Sequence, residues 1–169
     1  MEGSSKYDID SYINKNSKTA WYFTRFYGEP KTTKRCEAKN DLRVLIHHSN
    51  TPWICVRHFN EITQQGEKLG GVLRSHNQEQ RFREVINEYG FMDLGFIGQR
   101  FTWSKHFQDG RSIQERLDRG LATNSFFLKF PSTRVHCLCC DTSDHSPLLI
   151  NPLVLVTPTK KIFFLFEDM

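Results

Sequence analysis

The sequence predicts a mixed α/β (α+β) fold whose later strands are antiparallel. Three observations lead there. Apolar stretches are short and bounded by Gly, Pro and Asp-Gly signals, as strands are. Residues 78–89 place Phe82, Val85, Ile86 and Tyr89 at helical spacing. A chain of 169 residues with 38% hydrophobic and 25% charged side chains has the composition of a globular chain of about one domain.

The elements follow in order. The aromatic run at 21–27 reads as a strand with Trp21, Phe23 and Phe26 facing a core, stopped by Gly28-Glu29-Pro30. Residues 33–47 carry few breakers and set Cys36, Leu42, Leu45 and Ile46 near helical spacing, which predicts a helix. Pro52 opens the apolar run Trp53-Ile54-Cys55-Val56, a buried strand that delivers His58, Phe59, Asn60 and Glu61 to a loop. Polar residues 63–71 predict a loop, and Gly90 stands just past the end of the helix at 78–89. Strands are then expected at 91–94, 101–104, 116–122, 134–139 and 147–150, with a turn at Asp109-Gly110.

Several classes are disfavoured. The first residues lack the basic-then-apolar pattern of a secretory signal, and no apolar run approaches a membrane span, so an intracellular chain without a membrane partner is expected. Five cysteines without regular spacing predict reduced thiols, with Cys36 and Cys55 semi-buried. A formal charge of +4 permits a polyanionic partner without demanding one.

Three polar clusters sit at strand ends: His58-Phe59-Asn60-Glu61, Arg116-Leu117-Asp118-Arg119 and Ser143-Asp144-His145-Ser146. Taken singly, each reads as a turn, a cap or a surface ion pair of little worth. The run His136-Cys137-Leu138-Cys139-Cys140 with His145 has soft ligands but no Cys-x-x-Cys pair and no second cluster, so its cysteines read as packing residues rather than a zinc site.

Taken together and in order, the motifs resemble the endonuclease/exonuclease/phosphatase family. They are the segment 53–61, Gly95-Phe96-Ile97-Gly98, Phe101-Thr102-Trp103-Ser104, Glu115-Arg116-Leu117-Asp118-Arg119 and Ser143-Asp144-His145-Ser146-Pro147-Leu148. More narrowly, they are similar to the endonuclease domain of plant non-LTR (LINE-type) retrotransposon polyproteins, as are the segments 23–30 and 161–169. The resemblance implies a four-layered α/β sandwich and an Mg²⁺-dependent, nuclear phosphodiesterase that nicks DNA. By the same resemblance, Asp118 orients His145 to hold or polarise the scissile phosphate. Asp144 helps bind or orient the metal ion. Asn60 bonds a phosphate oxygen or positions water, and Tyr27 matches an active-site tyrosine. Trp103 faces either DNA or, by preference, the core. Arg116 belongs to a basic set, with Arg74, Arg81, Arg83, Arg100, Lys105, Arg111 and Arg119, that either contacts nucleic acid or is a solvated surface.

Two departures bear on activity. Where the family has Gly-Asp-Phe-Asn, this chain has Arg57-His58-Phe59-Asn60, so His58 replaces the carboxylate that assists the attacking water. His58 reads as an impairment, with a substitute base as the alternative. The family's first half supplies an Asn and the principal metal-binding Glu, whereas only 26 residues precede Tyr27 here, and Asp8 and Asp10 resemble a later strand of that half. The expectation is a partial sandwich, mainly its later half, over 1–152. Residues 153–169 would lead towards an absent reverse transcriptase. Such a partial sandwich is expected to leave an apolar sheet face exposed. The competing reading is a non-catalytic retroelement remnant that at most binds nucleic acid, and the oligomeric state stays open.

Overall fold

A computed structural model describes residues 8–27 and 51–152. The predicted helix at 33–47, Cys36 and the segment 153–169 lie outside the described residues, as do the side chains of Phe26 and Tyr27.

The described chain forms three sheets. Strands β1 (Asp8–Ile13), β2 (Trp21–Tyr27), β3 (Trp53–His58), β5 (Phe91–Asp93) and β9 (Asp118–Thr123) build a five-stranded sheet in the order β1-β2-β3-β9-β5. Within it, β2 and β3 are parallel and the other neighbours antiparallel. Strands β6 (Ile97–Gly98), β10 (Arg134–Cys137) and β11 (Leu148–Asn151) form a second sheet. Strands β4 (Lys68–Leu69), β7 (Trp103–His106) and β8 (Ser112–Glu115) form a third.

Strand alternation assigns the core faces. Trp21, Phe23, Ile54, Val56 and Ala122 point to one face of the large sheet and pack on Val135, Cys137, Leu148 and Ile150 of the second sheet. Phe126 and Phe130 join this layer, their rings 5.5 and 5.9 Å from that of Trp21. Gly120 allows the two sheets to approach, since a Cβ there would lie 3.2 Å from the Val135 side chain. On the opposite face Trp53, Cys55, Phe59, Phe91 and Leu121 pack on Phe82, Val85 and Ile86 of helix α1 (His76–Glu88). Helix, sheet and sheet therefore follow one another as layers of a sandwich, and both faces of the large sheet carry a core.

The differences from sequence have local causes. The strand at Trp53 continues to His58, so His58 is held by the sheet, not by the loop. Cys55 is fully buried rather than semi-buried, because it lies beneath helix α1. The strand expected at 101–104 begins at Trp103, because Thr102 bonds to the start of β9. The expected loop at 63–71 contains a 3₁₀ turn, Gln65–Glu67, and β4. A short helix α2 (Asn124–Lys129) follows β9; the Thr123 hydroxyl accepts from the Phe126 amide at its start.

Candidate active site

The site lies where β3 ends and β9 begins. His58 and Asp118 are directly opposed in the antiparallel register. They share the strand face of Ile54, Val56, Gly120 and Ala122, which looks towards the second sheet. The loop between β10 and β11 brings His145 to the same place, pinned by an isolated bridge from His145 to Trp103.

Asp118 joins both histidines. Its Oδ1 is 2.9 Å from His58 Nδ1 and its Oδ2 is 3.3 Å from His145 Nδ1. The two rings meet edge to face at 4.6 Å. His58 Nε2 lies 2.9 Å from Asn60 Oδ1, so both His58 nitrogens are engaged within the site. Burial opposes ionisation of Asp118, but hydrogen bonds from His145 and then His58, reinforced by their charge, hold its carboxyl below the ordinary value. Asn60 adopts a left-handed backbone with φ of 58°, a conformation that asparagine tolerates better than most residues. This bend follows β3 and precedes buried Ile62.

Thr102 braces the arrangement. Its hydroxyl oxygen accepts from the backbone N–H groups of Leu117 and Asp118, each at 2.9 Å. Its carbonyl accepts from the Ser146 amide at 2.8 Å, beside His145. Trp103 joins neither core cluster; it is half-buried, and its indole N–H donates to Asp144 Oδ2 at 3.0 Å. The preference for core packing at Trp103 is therefore corrected. Trp103, Asp144, Arg100, Lys105 and Gln99 line a cleft of about 920 Å³. The Tyr27 backbone pairs with His58 across the parallel strands, which puts residue 27 at the same end of the sheet.

Arg116 is placed otherwise than expected. It is 7% exposed, and its guanidinium pairs with Glu67 at 3.2 Å and Asp93 at 3.1 Å, so it is turned away from a nucleic-acid contact. Arg119, 1% exposed, binds the same two carboxylates at 2.7 Å each. Neither arginine forms a surface pair with Asp118. Arg74 is likewise drawn inward, onto Glu115. For both Glu67 and Asp93 burial works against ionisation, yet the facing guanidiniums, Arg119 foremost, keep the carboxyls below their ordinary values. Alternation could have revealed Asp93, which shares a strand face with buried Phe91. Glu67 had no comparable signal within its polar loop.

The donor set among the described residues does not fit magnesium. That ion demands oxygen ligands in near-octahedral array. Among the described residues the one group of three closely set ligating side chains is His58, Asp118 and His145, in which two donors are imidazole nitrogens. Asp144 has one carboxylate oxygen on the Trp103 indole.

The sequence matches no protein-family model and no curated protein. Among solved structures it is similar to the "Endonuclease domain of TRAS1, a telomere-specific non-LTR retrotransposon", with a TM-score of 0.68 and 16% identity over 90% of this chain. The chain spans 66% of that structure. At this identity the likeness is one of fold: the mixed α/β arrangement is similar to that of a retrotransposon endonuclease domain.

Proposed function

We propose that the chain derives from a LINE-type retroelement endonuclease, a phosphodiesterase acting on DNA, and that its hydrolytic centre is impaired. The observation that carries this reading is the double engagement of His58. One ring nitrogen faces Asp118 and the other faces Asn60, at 2.9 Å each. A carboxylate at this position would be an anionic acceptor for the proton of an attacking water. His58 has instead directed both nitrogens at neighbouring side chains.

The remaining parts suit phosphate recognition. The Asp118 carboxylate, 3.3 Å from His145 Nδ1, orients that ring and favours its imidazolium, the form that attracts a phosphate. Arg100 and Lys105 on the adjoining cleft supply positive charge for a DNA backbone. Binding without cleavage is the second reading, and these two cleft cations favour it. The plant LINE-type motifs and the span of 66% of the neighbouring structure support reading 1–152 as part of such a domain. A nuclear setting and a neighbouring reverse transcriptase belong to the same proposal. No step is assigned to magnesium, because the donors among the described residues do not suit it.

The test is incubation of the purified chain with supercoiled plasmid and Mg²⁺. No nicking is expected, while salt-sensitive retention of a short DNA duplex is. EDTA-sensitive nicking that His145→Ala abolishes would overturn the impairment. Absence of both nicking and retention would overturn the DNA reading.

A further inference from the structure

We propose that His58, Asp118 and His145 form a binding site for a transition-metal dication of the zinc class. The site stands on the geometry of these residues, whether or not the chain acts on DNA. One ligand atom from each residue lies within 4.8 Å of the others. His58 Nδ1 lies 2.9 Å from Asp118 Oδ1 and His145 Nδ1 lies 3.3 Å from Asp118 Oδ2, so the two imidazoles flank the two oxygens of one carboxylate at distances of the order of a tetrahedral edge. With ligand bonds of about 2.0–2.1 Å, neighbouring donors around zinc stand about 3.3 Å apart.

The hydrogen-bond pattern points the same way. Asn60 Oδ1 lies 2.9 Å from His58 Nε2 and Asp118 Oδ1 lies 2.9 Å from His58 Nδ1, so the ring is held from both sides. In the tautomer with its hydrogen on Nε2, His58 would present the Nδ1 lone pair to an ion shared with Asp118. Asn60, bent into the left-handed region with φ of 58°, is the positioning residue for that ring, as outer-shell partners of metal-bound histidines are.

Donor chemistry sets the class of ion. Two imidazoles and a carboxylate suit Zn²⁺, Co²⁺ or Ni²⁺ better than Mg²⁺. Three protein ligands leave a fourth position, as in zinc sites that bind water or substrate. His145, 16% exposed in its side chain, marks the side from which an ion would enter. No cysteine belongs to this close group among the described residues; Cys137 is buried, and Cys139 meets the Gln99 amide.

The full chain, stripped with EDTA and dialysed, would be titrated with Zn²⁺ against a chromophoric chelator and separately with Co²⁺ under visible spectroscopy. One Zn²⁺ per chain is expected, undisturbed by a large excess of Mg²⁺, together with the strong visible bands of four-coordinate Co²⁺. His58→Gln and His145→Asn should each weaken Zn²⁺ binding more than about tenfold, and Asn60→Ala by about tenfold. The double variant Cys139→Ser, Cys140→Ser should bind as the parent does. Absence of stoichiometric binding, displacement by Mg²⁺, or loss in the cysteine variant would overturn the site. If the His58 variant fails to fold by circular dichroism, the parent decides: a thiolate-to-cobalt charge-transfer band would assign the metal to cysteine and overturn the proposal, and its absence beside the four-coordinate bands would uphold it.

Discussion

The Thr102 hydroxyl oxygen lies 2.9 Å from the amide nitrogen of Asp118 and accepts its hydrogen bond. The same oxygen accepts from Leu117, so one buried side chain satisfies two backbone donors at the entrance to β9. The carboxylate that joins His58 to His145 thus has its backbone fixed from a different sheet.

Thr102→Val keeps the shape and removes the acceptor. Two buried amides lose their partner, so a loss of about 1–3 kcal/mol is expected. Urea unfolding of the parent and the variant measures it. Thr102→Ser keeps the oxygen and should retain most of the stability.

Arg119 is the centre of a second arrangement, on the opposite face of the large sheet. Arg119→Met leaves Glu67 buried with less compensation and should cost about 3 kcal/mol. The lower part of the usual range applies because the Asp93 side chain is 28% exposed and Arg116 still faces both carboxylates. The midpoint of urea unfolding reads the effect.

The same carboxylates give stability a defined dependence on pH. Glu67 and Asp93 have folded-state values below the ordinary 4.5 and 3.8, so the folded state binds their protons less readily than the unfolded state. Their contribution is fully present above those ordinary values and is lost as pH falls through the lower folded ones. Urea midpoints should hold steady from pH 7 to pH 5 with respect to these groups, then fall below about pH 4.5. The fall should be shallower in Arg119→Met.

Gly98 tests the docking of β6 on β10. Its φ is 105°, and a Cβ there would stand 2.4 Å from the Cys137 carbonyl oxygen. Gly98→Ala should destabilise by more than about 1 kcal/mol, since both backbone strain and the clash oppose it. Faster amide hydrogen exchange along β10 than along β3 would locate the damage.

Much of the site was legible in the sequence because its chemistry sits in short local motifs. His58, Asn60, Asp118, Asp144 and His145 fall in three clusters at strand ends, but that His58 and Asp118 share a face follows only from the antiparallel register of β3 and β9. The meeting of His58 with both Asp118 and Asn60 was not legible, since it depends on register across 60 residues and on the backbone bend at Asn60. Nor was the partnership of Arg116 and Arg119 with Glu67 and Asp93, which joins a polar loop to two strands. The six-residue helix α2 is too short for a periodic signal, and its Phe126 and the Phe130 that follows it serve the core instead of declaring a helix face. Strand β8, whose Ser112, Ile113 and Gln114 are all half-buried, lacks the clean alternation that reveals a strand.

Thr102 ties the entrance of the third sheet to the first, while the His145 loop joins two strands of the second. The cluster around Asp118 is therefore assembled where all three sheets meet. None of its partners is a close sequence neighbour of Asp118: His58 is 60 residues away and His145 is 27. Contacts of that range raise the mean sequence separation that slows folding as a whole. Signals from the His58 and His145 rings should accordingly appear together and only with the native topology, so that the site reports that the three sheets have met.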